Sequence, residues 1–290
     1  MTDNIKPNAT SCKLERSEKK LTALSRSDEL MPLAQVLSEK PYTQAFDLAE
    51  KVALSISYNG INFAVMLVTP CDIEDFIVGF SLSNHIVEHP RQLYGIEIAH
   101  HNEHINADVE ISNQAFWKLK EKKRQMTGVS GCGLCGIEAL ESAMPELTPL
   151  NASLIKTQLP TLNSGWFKGL RGLISSAQVQ AKVTGAVHAA LYIDTKRNVL
   201  ACREDIGRHN AFDKLIGAIA VKQLYLPENV VVLTSRCSLE LVQKAIRAKL
   251  GILVTLSAPT ALSVKWANRY GVTLIHVPKH DPPRAYAPHA

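Results

Sequence analysis

No run of about eighteen apolar residues, the length a helix needs to cross a bilayer, occurs anywhere in this chain of 290 residues. Residues 1–29 are dense in Lys, Ser, Asp and Glu and lack the apolar segment of a secretory leader. A cytoplasmic protein without membrane contact is therefore expected. Nor is there a strong charge imbalance: 32 Lys and Arg against 27 Asp and Glu give a net charge of +5. That balance admits an anionic ligand, but no nucleic-acid partner is expected without a denser basic patch. Internal repeats and low-complexity stretches are missing too. The chain has one Cys-x-x-Cys and no second to complete the four ligands of a structural zinc site. Six cysteines in a cytosolic chain are expected to be reduced, and Cys12, Cys71, Cys202 and Cys237 stand alone in the sequence.

What is present suits a globular protein: 46% hydrophobic and 20% charged residues, in a chain long enough for two cores. Residues 1–40 read as a mobile extension, 41–128 as a smaller β-rich α+β domain, and 129–290 as a three-layer α/β/α domain. Asn59-Gly60 between two runs of β-formers predicts a hairpin, because both residues tolerate positive φ. Pro70 ends the second run, and Asp72 is expected to cap a helix carrying Phe76, Ile77 and Phe80. Strands at 95–98 and 105–111 follow, joined through His100, His101 and His104. A helix over 113–124 ends in Lys118, Lys120, Lys122, Lys123 and Arg124, cations that complement its dipole.

Further on, helices are expected at 137–144 and 166–179, and a hairpin at 187–193 and 199–202. The last third alternates strands at 230–233, 252–256 and 272–277 with helices at 238–250 and 260–270, stopped by Gly251 and Gly271. That is a βαβαβ pattern, hence a parallel layer covered by helices.

Three glycines enclose two thiols in Gly131-Cys132-Gly133-Leu134-Cys135-Gly136. Such a segment has little to pack and presents sulfur on a turn or loop. By itself it admits metal ligation, dithiol redox chemistry or sulfur carriage. In an open α/β sheet, ligands bind beyond the carboxyl ends of the strands. Here those ends carry Ser235 and Arg236, Ser257 and Thr260, and Lys279. Two of them lead into helix N-termini, which favour phosphate. A second constellation runs from Arg203 to Lys214. Phe212, Leu215, Ile216 and Ile219 form the buried stripe of a helix, while Asp205, His209 and Asp213 recur every four residues. Asp205, Arg208 and His209 are read as functional, with a neighbouring carboxylate tuning the imidazole. His188, alone in an apolar strand, reads as a core histidine.

Taken together, these motifs resemble the formate dehydrogenase accessory sulfurtransferase family. The resemblance is carried by Thr69-Pro70 with Gly79-Phe80, the Cys132–Cys135 loop and Thr184-Gly185 with His188-Ala189-Ala190. Glu204-Asp205-Ile206-Gly207-Arg208-His209-Asn210-Ala211 with Asp213-Lys214, Val242-Gln243-Lys244-Ala245 and Ser257-Ala258-Pro259-Thr260 complete it. It implies a sulfur carrier that accepts persulfide sulfur from a cysteine desulfurase on Cys132, assisted by Cys135. The sulfur would go to a molybdenum or tungsten bis(pterin guanine dinucleotide) cofactor required by formate dehydrogenase. It further implies a homodimer, a cytidine-deaminase-like C-terminal fold, and cofactor contacts in the segment after the last strand: Val277, Pro278, Lys279, His280, Asp281 and Pro282. His188-Ala189-Ala190 has alanine where a deaminase carries its acid–base glutamate, so deaminase chemistry is not expected. No resident metal is expected; a zinc module using Cys132, Cys135 and His100, His101 or His104, or a dithiol oxidoreductase, are the alternatives.

Overall fold

The computed structural model describes residues 48–127, 144–150, 162–226 and 228–286. The expected N-terminal extension, nearly all of the helix expected at 137–144 and both thiols of the Cys-x-x-Cys lie outside them. Strands β1 (Val52–Tyr58) and β2 (Ile61–Val68) form the predicted hairpin, with Asn59 at φ 45° and Gly60 at φ 76°. The Asn59 side chain also binds both main-chain groups of Ile111, so the turn is fastened to a neighbouring strand as well as bending the chain. Helix α1 (Ile73–Ser83), strands β3 (Leu93–His100) and β4 (His104–Ile111), and helix α2 (Asn113–Thr127) follow. The sheet order is β2-β1-β4-β3, with β1 and β4 parallel. Leu54, Ile56, Tyr58, Phe76, Ile77 and Val109 meet in its core. The expected Asp72 cap is not made. Asp72 adopts φ 53°, its side chain binds no helix N–H, and its carboxylate instead lies 3.6 Å from Arg203.

The next stretch is broken where one helix was expected. A 3-10 turn (Ser164–Phe167) is separated from helix α3 (Leu170–Ala177) by Gly169 at φ 71°, a left-handed residue that ends one helical path and starts another. After α4 (Gln180–Thr184) come β5 (His188–Ile193), β6 (Val199–Asp205) and α5 (Arg208–Val221). The alternating third follows: β7 (Val230–Leu233), α6 (Leu239–Arg247), β8 (Ile252–Thr255), α7 (Ala261–Tyr270), β9 (Thr273–His276). A short β10 (Arg284–Tyr286), not anticipated from sequence, pairs antiparallel with β9. Gly271 ends α7 at φ 80° as expected, but at the end of α6 the left-handed residue is Lys249 and not Gly251.

The sheet order is β10-β9-β8-β7-β5-β6, with β7, β8 and β9 parallel. Alternate residues face opposite layers, as the period of a strand requires. Val231, Leu233, Leu253 and Leu274 pack under α5, α6 and α7. Val230, Val232, Val254 and Ile275 pack under Trp166, Phe167, Leu170 and Ile174. The α/β/α layering is thus as read from the sequence.

The two sheets belong to one compact unit spanning residues 48–290, and α1 crosses α5 at backbone contact. A Cβ on Gly79 would sit 2.6 Å from the Asp213 carbonyl carbon, and one on Gly217 2.6 Å from that of Asp75. Polar groups lock the same joint. Lys214, fully buried, donates to Asp205 at 2.8 Å and to the Thr69 carbonyl at 2.9 Å. Lys244 reaches Asp213 at 2.7 Å and Ser83 at 2.8 Å, and Arg203 reaches Asp75 at 2.6 Å. Among the described residues no helix is long and apolar enough to cross a membrane.

Candidate functional site

The carboxyl ends of β7, β8 and β9 are adjacent in the sheet, and the antiparallel β5 begins and β6 ends at the same edge, with His188 opposite Asp205. Helices α5, α6 and α7 all start there. Three helix N-termini on one edge leave main-chain N–H groups and positive dipole ends facing outward.

At the β8–β9 side, Ser257 is half-buried, and Lys279, His280, Asp281 and Pro282 are exposed. Val277 is buried and continues the ladder through its N–H to Thr255, while Pro278 is half-buried. Asp281 pairs with Arg284 at 3.1 Å. Arg236 is exposed at the end of β7, but Ser235 is buried and its hydroxyl donates to the Arg236 carbonyl at 3.1 Å. Thr260 caps α7, accepting from Ser263 N–H at 3.2 Å. Of the expected hydroxyl cradle, then, the half-buried Ser257 is without a commitment of this kind among the described residues. The fully buried Thr255 hydroxyl, at the end of the central parallel strand, has no hydrogen-bond partner among the described residues.

Sequence reading passed over Arg171. From the first turn of α3 its Nη2 donates to the carbonyls of Leu256, at 3.2 Å, and Val277, at 3.0 Å. It thereby bridges the residues just beyond β8 and β9. No periodicity marks such a residue, because it serves a sheet edge distant in the sequence.

At the β5–β6 side, the Asp205–His209 cluster divides in two. Asp205 is fully buried and accepts from Thr69 N–H, Gly207 N–H, the Asn210 amide and Lys214. A carboxylate so enclosed supports the fold and offers a ligand nothing. Arg208 and His209 remain half-buried at the first turn of α5. Arg208 Nε is buried without a partner among the described residues. His209 Nε2 lies 3.5 Å from the Ser238 hydroxyl. Its pKa is lowered by burial, then by Arg208 and Lys244; Glu240 and Asp213 oppose them with smaller effects. The expectation that a carboxylate tunes this imidazole is corrected: its surroundings favour the neutral ring. His188 is half-exposed at the edge and not a core residue, and burial followed by Arg208 lowers its pKa.

The remaining thiols are informative. Cys237 is fully buried and Cys202 half-buried, and burial pushes each thiol up to about 12. Neither forms the thiolate that nucleophilic sulfur chemistry needs at neutral pH. Cys71 is held in a disulfide, which corrects the expectation that it stands alone and reduced. On the β3–β4 turn, the rings of His101 and His104 stack 4.5 Å apart. Among the described residues, no three His, Cys, Asp or Glu side chains are arranged to hold a metal.

Comparison with known proteins accords with this architecture. Residues 49–290 match the model of the FdhD/NarQ family. The chain is 41% identical to the sulfur carrier protein FdhD of Bordetella petrii, over 80% of this chain and 82% of that one. It is 40% identical to the protein of the same name in Variovorax paradoxus, over 86% and 87%. A solved structure from Desulfotalea psychrophila, of a protein described as a formate dehydrogenase accessory protein, superposes with a TM-score of 0.59 at 19% identity. It covers 83% of this chain and 88% of that one, and shows the common fold. This chain belongs to the FdhD/NarQ family.

Proposed function

We propose that the protein carries sulfur from a cysteine desulfurase to a molybdenum or tungsten bis(pterin guanine dinucleotide) cofactor, and so serves formate dehydrogenase as an accessory protein. The observation that carries the reading is 41% identity over most of the chain to a protein named as a sulfur carrier, in a sequence with a glycine-flanked thiol pair. The raised thiol pKa values of Cys202 and Cys237 favour assigning the chemistry to Cys132 and Cys135. In the loading step the Cys132 thiolate attacks the outer sulfur of the donor's persulfide. A new S–S bond forms on Cys132, the donor's S–S bond breaks, and the desulfurase cysteine leaves as a thiolate. Delivery transfers the outer sulfur to the metal, which supplies the two electrons that reduce it to sulfide, and regenerates the Cys132 thiolate.

The cofactor carries two pyrophosphates, which suits an edge that combines helix N-termini with Arg236 and Lys279. Val277, Pro278, Lys279, His280, Asp281 and Pro282 follow β9 at that edge. Arg208 and His209 flank it, and Asp205 accepts from the N–H of Gly207, the residue just before them. The reading includes a homodimer working in the cytoplasm.

Mass spectrometry of the protein incubated with a cysteine desulfurase and cysteine tests the loading step. An added 32 Da on the peptide containing Cys132, missing in Cys132→Ser, is expected from the mass of one sulfur atom, roughly the gain of any persulfide. An unmodified peptide overturns it.

A further inference from the structure

Arg171 stands at the sheet edge with an unneutralised charge. Its side chain is exposed, and no carboxylate among the described residues pairs with it; Asp281 pairs with Arg284 instead. Yet the guanidinium is not loose. Both recorded hydrogen bonds come from one nitrogen, Nη2, to the carbonyls of Leu256 and Val277, which are neutral and cancel none of its charge. Nε and Nη1 donate to no acceptor among the described residues. Its charge is felt locally: with burial and Arg284, Arg171 lowers the pKa of His276 at the end of β9.

An arginine fixed in this way differs from a surface cation. Tethered by two acceptors, the planar guanidinium has little rotamer freedom left to lose when it meets an anion. Its position, across the carboxyl ends of two parallel strands, is where an open α/β sheet receives ligands. A clamp for two neutral carbonyls needs no charge, whereas recognition of a phosphate does.

We infer that Arg171 is a phosphate-binding residue of the carboxyl edge, contacting the diphosphate of a guanine nucleotide through Nε and Nη1 while Nη2 holds the edge in shape. The inference rests on the cofactor reading proposed above and adds to it a residue outside the segment after β9. GDP and guanosine, titrated calorimetrically into the full-length protein, into Arg171→Met and into Arg171→Lys, separate the two. Wild type is expected to bind GDP more tightly than guanosine. In Arg171→Met the affinity for GDP should fall about tenfold or more, as loss of one charge-assisted contact implies, while guanosine affinity is unchanged. Arg171→Lys should recover part of the GDP affinity, since it restores charge without the fork.

Equal GDP affinity in wild type and Arg171→Met overturns the inference and leaves the cofactor reading standing. A parallel fall for guanosine also overturns it, because the residue then acts only on the shape of the edge. No GDP binding by wild type overturns both.

Discussion

Lys214 has no exposed surface, and burial lowers its pKa while Asp205 raises it. The ammonium is kept by three acceptors: Asp205 and the carbonyls of Thr69 and Glu204. Removing one member of such a pair leaves a buried charge uncompensated, at a cost of about 3–5 kcal/mol. Lys214→Met is therefore expected to lose most of the stability of the fold in urea titration, although methionine fills a similar volume. His188 and His209 act in the opposite sense. Their folded pKa values lie below the ordinary histidine value of 6.5, so the folded protein binds fewer protons than the unfolded chain. Stability then rises with pH across the window from the lowered values up to 6.5, and is lost as pH falls through it. The dependence of the melting temperature on pH between 7 and 5 should be shallower in His209→Gln. The cysteines give a third check: in native protein at pH 8, Cys202 and Cys237 should resist iodoacetamide, and both should be alkylated once the chain is denatured.

At the scale of elements, the contact between α1 and α5 holds most of the constraint. Gly79 and Gly217 each face the backbone of the other helix, and neither backbone can yield as a side chain would. Gly79→Ala or Gly217→Ala should destabilise the protein by about 3 kcal/mol or more, the upper range for overpacking. Gly172, within α3, has open space where its Cβ would lie. Gly172→Ala should instead stabilise by about 0.5–1 kcal/mol, the ordinary helix preference. Denaturant midpoints of the three variants decide the matter, and equal midpoints would contradict the backbone-contact account.

These elements also explain what the sequence could convey. The Asn59-Gly60 hairpin, the stripe of Phe212, Leu215, Ile216 and Ile219, and the strand–helix alternation after Val230 are local patterns, and all stand in the structure. The Asp72 cap and the single helix expected at 166–179 were misread because backbone handedness at one residue, Asp72 or Gly169, is not visible in hydrophobic period. Arg171 escaped notice, and His188 was taken for a core residue, for another reason. Their surroundings are assembled from β6, β8 and β9 and the first turn of α5, segments whose adjacency no local window contains. Asp205 was read as functional from the density of its polar neighbours, and the structure gives those neighbours a structural use: joining the two sheets.

Across the whole molecule, one edge gathers three helix N-termini, a bridging arginine, two histidines whose pKa values are lowered by burial and by Arg208, and an arginine with a buried nitrogen that is unpartnered among the described residues. Beneath it lies the Lys214–Asp205 and Lys244–Asp213 scaffold that ties the β2-β1-β4-β3 sheet to the α/β/α layers. Such an arrangement can hold a large anionic cofactor on a rigid floor. The sulfur carrier in this account is the Cys132–Cys135 pair, which Cys202 and Cys237 cannot replace while they stay protonated. The most direct measurement of that claim follows ³⁵S from labelled cysteine through a desulfurase to this protein, in wild type and in Cys132→Ser, on non-reducing gels. The account predicts radiolabel on wild type that reductant removes, and its loss in Cys132→Ser. Equal labelling of the two proteins, or none on either, would contradict it.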